Sequence, residues 1–369
     1  MNAAIQGRLG VEINPHVVGG TESFLRTLFT HLDRTRVVPV AFAASDGPWR
    51  DYFGAVVETH LIPYVEADGS PADVAGAFAG MRLDLVQSCY FSPATATAAA
   101  RAGIPHVWRM GGHVDGLERE WTKREKDSLL TVIKLASRKV VCPSRFLRSQ
   151  FDAVGSDDVD VIYGGVDLAA FPPPLPMAEA GPLSVAMVAH LSPQKRHEMF
   201  LRAAAQVARI LPDVRFFLFG GRYPRPELRA YEESLHVLAR DLGIAAAVEF
   251  RELRDERFDV MRRIDVIVLP GVNEGASNTI VEAMALGKPV VAARSGGNAE
   301  IVEDQVTGLL VEPDDPAALA AALTGVLQDR DRRLALGRAS RGRVEREFDI
   351  RRCARDYEAF YAGALAPKA

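Results

Sequence analysis

Short runs of β-branched and aliphatic residues recur along the chain, separated by longer stretches whose apolar positions repeat every three or four residues. Six runs stand in the first half: LGVEI, VVPVAF, LDLVQS, HVWRM, KVVCP and DVDVIY. Six more stand in the second: LSVAMVA, VRFFLFG, VEFRE, DVIVLP, KPVVAA and GLLVE. Strands spaced by helical lengths are joined by crossovers, and crossovers lead to parallel strands. Two series therefore predict two doubly wound parallel sheets, an α/β fold with helices on both faces. Between them lies AAFPPPLPMAEAGP, Ala169 to Pro182, whose prolines can neither continue a helix nor donate within a central strand. It reads as the linker, with the boundary near Phe171 and domains at 1–170 and 171–348. From about Asp329 to Leu365 the chain reads as helix broken near Phe348.

Composition narrows the class. A chain of 369 residues exceeds the roughly 100–200 residues of a usual single domain. The net charge of −4 argues against a polyanion, so nucleic acid is set aside as the partner. Cys89, Cys142 and Cys353 form no CxxC pair and leave an odd count, which fits neither a disulfide framework nor a zinc knuckle and points to a reducing cytoplasm. The opening MNAAIQGRLGVEINP has no apolar core after a basic start, and no run nears about 18 apolar residues. Neither a signal peptide nor a membrane span is expected.

Candidate chemistry concentrates between Asn273 and Val291, NEGASNTIVEAMALGKPVV. DVIVLP reads as a strand, GVNEGAS as a loop and NTIVEAMAL as a helix ended by Gly287. A helix start offers N–H groups suited to a phosphate, and Gly275, Ala276 and Ser277 are small enough to let an anion approach the backbone. Glu274 at the mouth and Glu282 one turn inside could accept hydrogen bonds from hydroxyls on either side of that anion. Thr279 and Glu282 also fit the T-x-x-E capping box, and from this stretch alone the two readings stay open.

With its neighbours SGGNAEIV and TGLLV, the block closely resembles the donor-binding signature of retaining glycosyltransferases of family 4. VVGGTESF, VVCPSRFL, VIYGGVD and MVAHLSPQKRHEMFLRAA extend the resemblance over almost the whole chain. It implies a GT-B fold, two Rossmann-like domains facing across a cleft, the first on the acceptor side and the second binding the donor, with a final helix of about 349–369 returning to the first. It implies that Glu274 contacts the sugar of a nucleotide-sugar, that Glu282 holds the ribose hydroxyls, and that the loop from Gly275 through Ala276 and Ser277 to Asn278 holds the diphosphate.

Lys195 matches the family's phosphate-binding lysine, whereas His190 stands where an arginine is usual and gives one donor in place of a charged fork. Gly19 and Gly20 match the glycine loop that meets the donor from the opposite side, and Gly221, after a strand end, is expected to border the base or diphosphate, with a plain strand-to-helix turn as the alternative. His113 is the candidate for a family histidine that contacts sugar, about two places beyond its usual position, with Trp108 and Arg109 as unusual neighbours. The implied activity is retaining transfer of a hexosyl or N-acetylhexosaminyl group from a UDP- or GDP-sugar, UDP favoured, to an unidentified hydroxyl acceptor. No catalytic metal and no further cofactor are expected. Expected placement is the cytoplasm or the inner face of the membrane, as monomer or homodimer. Helix-forming WTKREKDSLLTVIKLASRK, Trp121 to Lys139, is read as packing on its sheet, with an interfacial patch as the alternative. An epimerase on the same scaffold and a noncatalytic sugar-nucleotide binder are the rival functions.

Overall fold

A computed structural model describes residues 7–16, 18–65, 72–90, 93–112, 122–172, 181–220, 226–252 and 257–367. The chain divides into two compact units, Met1–Gly165 with Ile350–Ala369, and Val166–Asp349.

The first unit alternates β1 (Gly7–Glu12), α1 (Gly20–His31), β2 (Val37–Ala43), α2 (Trp49–Gly54), β3 (Glu58–Leu61), α3 (Val74–Gly80), β4 (Leu85–Ser88), α4 (Pro93–Arg101), β5 (His106–Arg109), α5 (Lys123–Ala136), β6 (Lys139–Cys142), α6 (Arg145–Ser149) and β7 (Val159–Val161). Its seven strands pair in the order β3-β2-β1-β4-β5-β6-β7, and the pairing is parallel throughout. Sequence reading anticipated six of these strands and missed β3. Glu-Thr-His-Leu has no apolar alternation, because it lies on the edge with both ends exposed, and Glu58 is taken up in an ion pair with Arg8.

The second unit runs β8 (Ser184–Val188), α7 (His197–Ile210), β9 (Arg215–Gly220), α8 (Pro226–Asp241), β10 (Val248–Glu252), α9 (Arg257–Met261), β11 (Val266–Leu269), α10 (Asn278–Ala285), β12 (Val290–Ala293), α11 (Asn298–Ile301), β13 (Gly308–Val311), α12 (Pro316–Gln328) and α13 (Arg330–Glu347). Six parallel strands pair in the order β10-β9-β8-β11-β12-β13. Its central strands β8, β11 and β12 are buried along their whole length, as expected of continuous apolar runs covered on both faces.

After α13 the helix breaks at Phe348, and α14 (Ile350–Leu365) completes the first unit. Ile350, Cys353, Ala354, Tyr357, Phe360, Tyr361 and Ala364 repeat at helical spacing and share one core with Phe24, Leu25, Leu28 and Phe29 of α1. The segment that reads as linker begins, in the structure, with residues that belong to the second unit. Val166 bridges Asp349, and the Phe171 ring meets Phe258 at 4.8 Å. Helix α5 buries Leu130 and Ile133 but leaves Leu135 82% exposed. Among the described residues no helix is long and apolar enough to cross a membrane.

Candidate active site

In the second unit the chain leaves β8 outward through β9 to β10, then returns to build β11 on the other side of β8. Loops leaving two such neighbours part from each other, and ligands of open α/β sheets bind in the crevice so formed. The loop after β8 carries Lys195 in a short 3₁₀ turn, Pro193–Lys195, and the loop after β11 carries Glu274.

These loops are tied together. The Val272 N–H donates to the Gln194 carbonyl at 3.3 Å, and Lys195 Nζ meets Glu274 Oε1 at 2.5 Å. The lysine is 26% and the glutamate 14% exposed, so water screens the pair less than it would a surface pair. Gly271 makes room for it, since a Cβ there would stand 2.9 Å from Glu274 Oε1. Nothing in the sequence marks Gly271 as more than a glycine after a strand.

A third loop, after β12, holds the glutamate from behind. The Gly297 N–H donates to the Glu274 carbonyl at 2.8 Å, and the Asn273 N–H donates to Ser295 Oγ at 3.1 Å. Gly296 lies in the left-handed region at φ +60°, where a Cβ would fall 2.3 Å from the Glu274 carbonyl oxygen. Backbone, and not side-chain packing alone, therefore fixes where Glu274 stands.

Helix α10 starts two residues earlier than the T-x-x-E reading required. Ser277 is its N-cap, with Oγ accepting from the Ile280 N–H at 3.4 Å, so Thr279 lies inside the first turn and Glu282 is no capping partner. Glu282 sits on the second turn and is 9% exposed. Gly275 and Ser277 are buried, whereas Ala276 and Asn278 are half-buried. His190, half-buried, shares the β8 loop with Lys195.

Gly19 and Gly20 belong to the first unit, at the end of β1 and beside β4, where that sheet also reverses its order. Helix α1 begins at Gly20 with Gly19 as N-cap. Having no side chain, Gly19 caps nothing itself; Glu22 Oε2 accepts its N–H at 2.9 Å, and Glu22 Oε1 accepts the Tyr90 hydroxyl. Glu22 is 3% exposed, and burial raises its carboxyl above the ordinary range against the opposing pull of the Gly19 N–H and the Arg109 charge. His113 and Gly221 lie outside the described residues.

The description "Glycosyltransferase Family 4" matches residues 18–170, and "Glycosyl transferases group 1" matches 182–329. The chain belongs to glycosyltransferase family 4. Among relatives of this family-4 chain, the D-inositol 3-phosphate glycosyltransferase of Corynebacterium kroppenstedtii is 34% identical over 223 residues, covering 57% of this chain and 49% of that protein. The enzyme of the same name from Mycolicibacterium gilvum is 39% identical over 174 residues, 45% of this chain and 38% of that protein. The chain thus matches about half or less of the length of these relatives.

Among solved structures, Anabaena HepE in complex with UDP-glucose aligns with TM-score 0.85 at 20% identity, covering 97% of this chain and 100% of that one. Sucrose-phosphate synthase from Thermosynechococcus elongatus aligns with TM-score 0.77 at 20% identity over 97% and 98%. Two parallel α/β units and these neighbours give the family-4 chain the GT-B fold class.

Proposed function

We propose that the protein is a retaining glycosyltransferase that moves a sugar from a UDP-sugar to an acceptor hydroxyl. The observation that carries this reading is the Lys195–Glu274 pair, set beside the start of α10 where the β8 and β11 loops part. A diphosphate competes with Glu274 for the lysine; on binding it takes the cation and frees the carboxylate for sugar hydroxyls. The first turn of α10, with small Gly275, Ala276 and Ser277 before it, adds dipoles aimed at the same anion. Glu282 takes the ribose diol, and His190 adds one donor to the phosphate.

The acceptor oxygen bonds to the anomeric carbon as the bond from that carbon to the phosphate oxygen breaks. The departing phosphate oxygen takes the acceptor's proton, so attack comes from the face that the leaving group vacates and configuration is kept. Charge builds on the diphosphate in this step, and Lys195 with the helix start is stronger there than in the ground state, which is what accelerates a reaction. We assign charge neutralisation to these groups and not to a metal. HepE binds UDP-glucose and the curated relatives are named for inositol 3-phosphate, which favours UDP-glucose as donor and a polyol as acceptor.

The test is thermal stabilisation by UDP-, GDP-, ADP- and dTDP-sugars, followed by product analysis with the stabilising donor, with and without EDTA. Donor-dependent stabilisation and an α-linked product from an α-linked donor are expected, unchanged by EDTA. A product of inverted configuration would refute retention, an altered sugar released without acceptor would favour an epimerase, and tight binding with no transfer or hydrolysis would favour a noncatalytic binder.

A further inference from the structure

The first unit has a crevice of its own. Its chain leaves β1 outward through β2 to β3, then returns to build β4 on the other side of β1, so the loops after β1 and β4 part from each other. Glu12 is the last residue of β1, and carrying the register Val11↔Gln87 on by one residue sets it beside Ser88, the last residue of β4. Paired residues of neighbouring strands point to the same face, so Glu12 and Ser88 share the mouth of this crevice.

Glu12 is only 6% exposed, and just one of its oxygens is used. Half-buried Tyr64, which follows β3, donates its hydroxyl proton to Glu12 Oε1 at 2.6 Å. With that proton spent, Tyr64 accepts from Thr95 Oγ1, 2.6 Å away in the first turn of α4. The chain of donors thus runs from Thr95 through Tyr64 and ends on Glu12. Ser88 Oγ is engaged by His106 Nε2 at 2.9 Å, and Glu12 Oε2 is buried with no hydrogen-bond partner among the described residues. The polar side chains that face the carboxylate, Tyr64, Thr95 and Ser88, are neutral hydroxyls, and burial lifts its carboxyl above the ordinary range.

A buried carboxylate oxygen without a donor is costly, and nothing in the packing requires it, because an amide of the same shape would fill the same space without the charge. An ionised carboxylate only accepts hydrogen bonds, so the missing partner is a donor. A hydroxyl meets that need. A phosphate does not, since it would set a second anion against the first where no cation offsets either.

We propose that Glu12 is the acceptor-binding group of the first unit, its free oxygen accepting a hydrogen bond from an uncharged polyol, so that phosphorylated polyols are turned away. That the ligand is the acceptor rests on the proposed function: glycosyl transfer needs a second substrate, and the donor takes the crevice of the second unit. That the site takes a hydroxyl donor does not depend on that reading.

The experiment measures dissociation constants of the full chain for myo-inositol, glucose and myo-inositol 3-phosphate by saturation-transfer NMR with UDP present, in the wild type, Glu12→Gln and Glu12→Asp. The wild type is expected to bind at least one of the two uncharged polyols about tenfold or more tighter than the phosphate. Glu12→Gln should lose about tenfold in polyol affinity and most of that preference, while its melting temperature stays level or rises because a buried charge is gone. Glu12→Asp, which keeps the charge but draws it back by one carbon, should bind polyol more weakly than the wild type and still reject the phosphate. Equal polyol affinity in the wild type and Glu12→Gln, a wild-type preference for the phosphate, or no polyol binding by the wild type would each overturn the proposal. Should Glu12→Gln fail to fold, the wild-type preference and the Glu12→Asp affinities decide it alone. Polyol binding that depends on Glu12, with no glucosyl transfer from UDP-glucose to the bound polyol, would count against the proposed transferase and leave the site standing.

Discussion

Replacing Gly296 by Ala tests whether backbone packing sets the position of Glu274. The substitution places an L-residue at φ +60°, which costs about 1–2 kcal/mol by itself. It also puts a Cβ 2.3 Å from the Glu274 carbonyl oxygen, and since real contacts begin near 3 Å, that carbonyl must retreat by roughly 0.7 Å. Retreat stretches the Gly297 N–H bond to the same oxygen, adding about 0.5–1.5 kcal/mol, for a total of about 1.5–3.5 kcal/mol. A unit of this size should melt lower by roughly 3–14 °C. Moving Glu274 away from Lys195 should lower kcat/KM about 10- to 100-fold.

Gly243 supplies the control. It has φ +73° with nothing within 4 Å of its would-be Cβ, so Gly243→Ala reports the left-handed backbone alone. Thermal unfolding and UDP release by both variants separate strain from collision. If Gly296→Ala proves no less stable and no less active than Gly243→Ala, the carbonyl contact does not position Glu274.

Three further outcomes follow from the geometry. Lys195→Met and Glu274→Gln should each lower kcat/KM at least about 100-fold, with far-UV circular dichroism unchanged, and near-normal turnover in either would remove that residue from the site. Arg196 holds φ 59° and ψ 45° just before α7, so Arg196→Gly should leave stability equal or raise it by up to about 1 kcal/mol, read from urea midpoints, because its ion pair with Asp314 is exposed. Burial pushes the His106 and His197 imidazoles from 6.5 down to about 4, so the unfolded chain binds more protons than the folded one between those values. Stability from these two groups is present above pH 6.5 and drains away as pH falls toward 4; chemical denaturation of His106→Gln and His197→Gln should show a shallower acid slope, and an unchanged slope would contradict the assignment.

Local pattern carried much of this fold, and its failures have particular causes. The strand DVIVLP, the loop GVNEGAS and the helix behind it were readable because buried parallel strands are continuous apolar runs and helix ends have capping residues. The break at Phe348 was readable for the same reason. Strand β3 was not, since an exposed edge has no buried face to impose alternation. The start of α10 at Asn278 matches the reading of NTIVEAMAL as a helix; only the rival T-x-x-E box failed, because Ser277 and Thr279 are equally good caps in isolation and the loop path chooses between them. Contacts distant in sequence were beyond reach: Lys195 meets Glu274 across 79 positions, and Arg109 meets Tyr357 across 248. Arg109 stood out as an unusual residue at a strand end, yet its burial against α14 could not be foreseen from its neighbours.

The route of the chain has its own consequence. The inner unit is one uninterrupted stretch, whereas the outer one is assembled from two pieces separated by everything between Val166 and Asp349. Until Ile350–Leu365 has been made, the face of α1 around Phe24 lacks Tyr357 and its neighbours as cover, so the unit built from two pieces must wait, partly open, while the inserted one can finish by itself. That waiting period, more than the finished molecule, is when this protein is most exposed to aggregation and to reliance on chaperones.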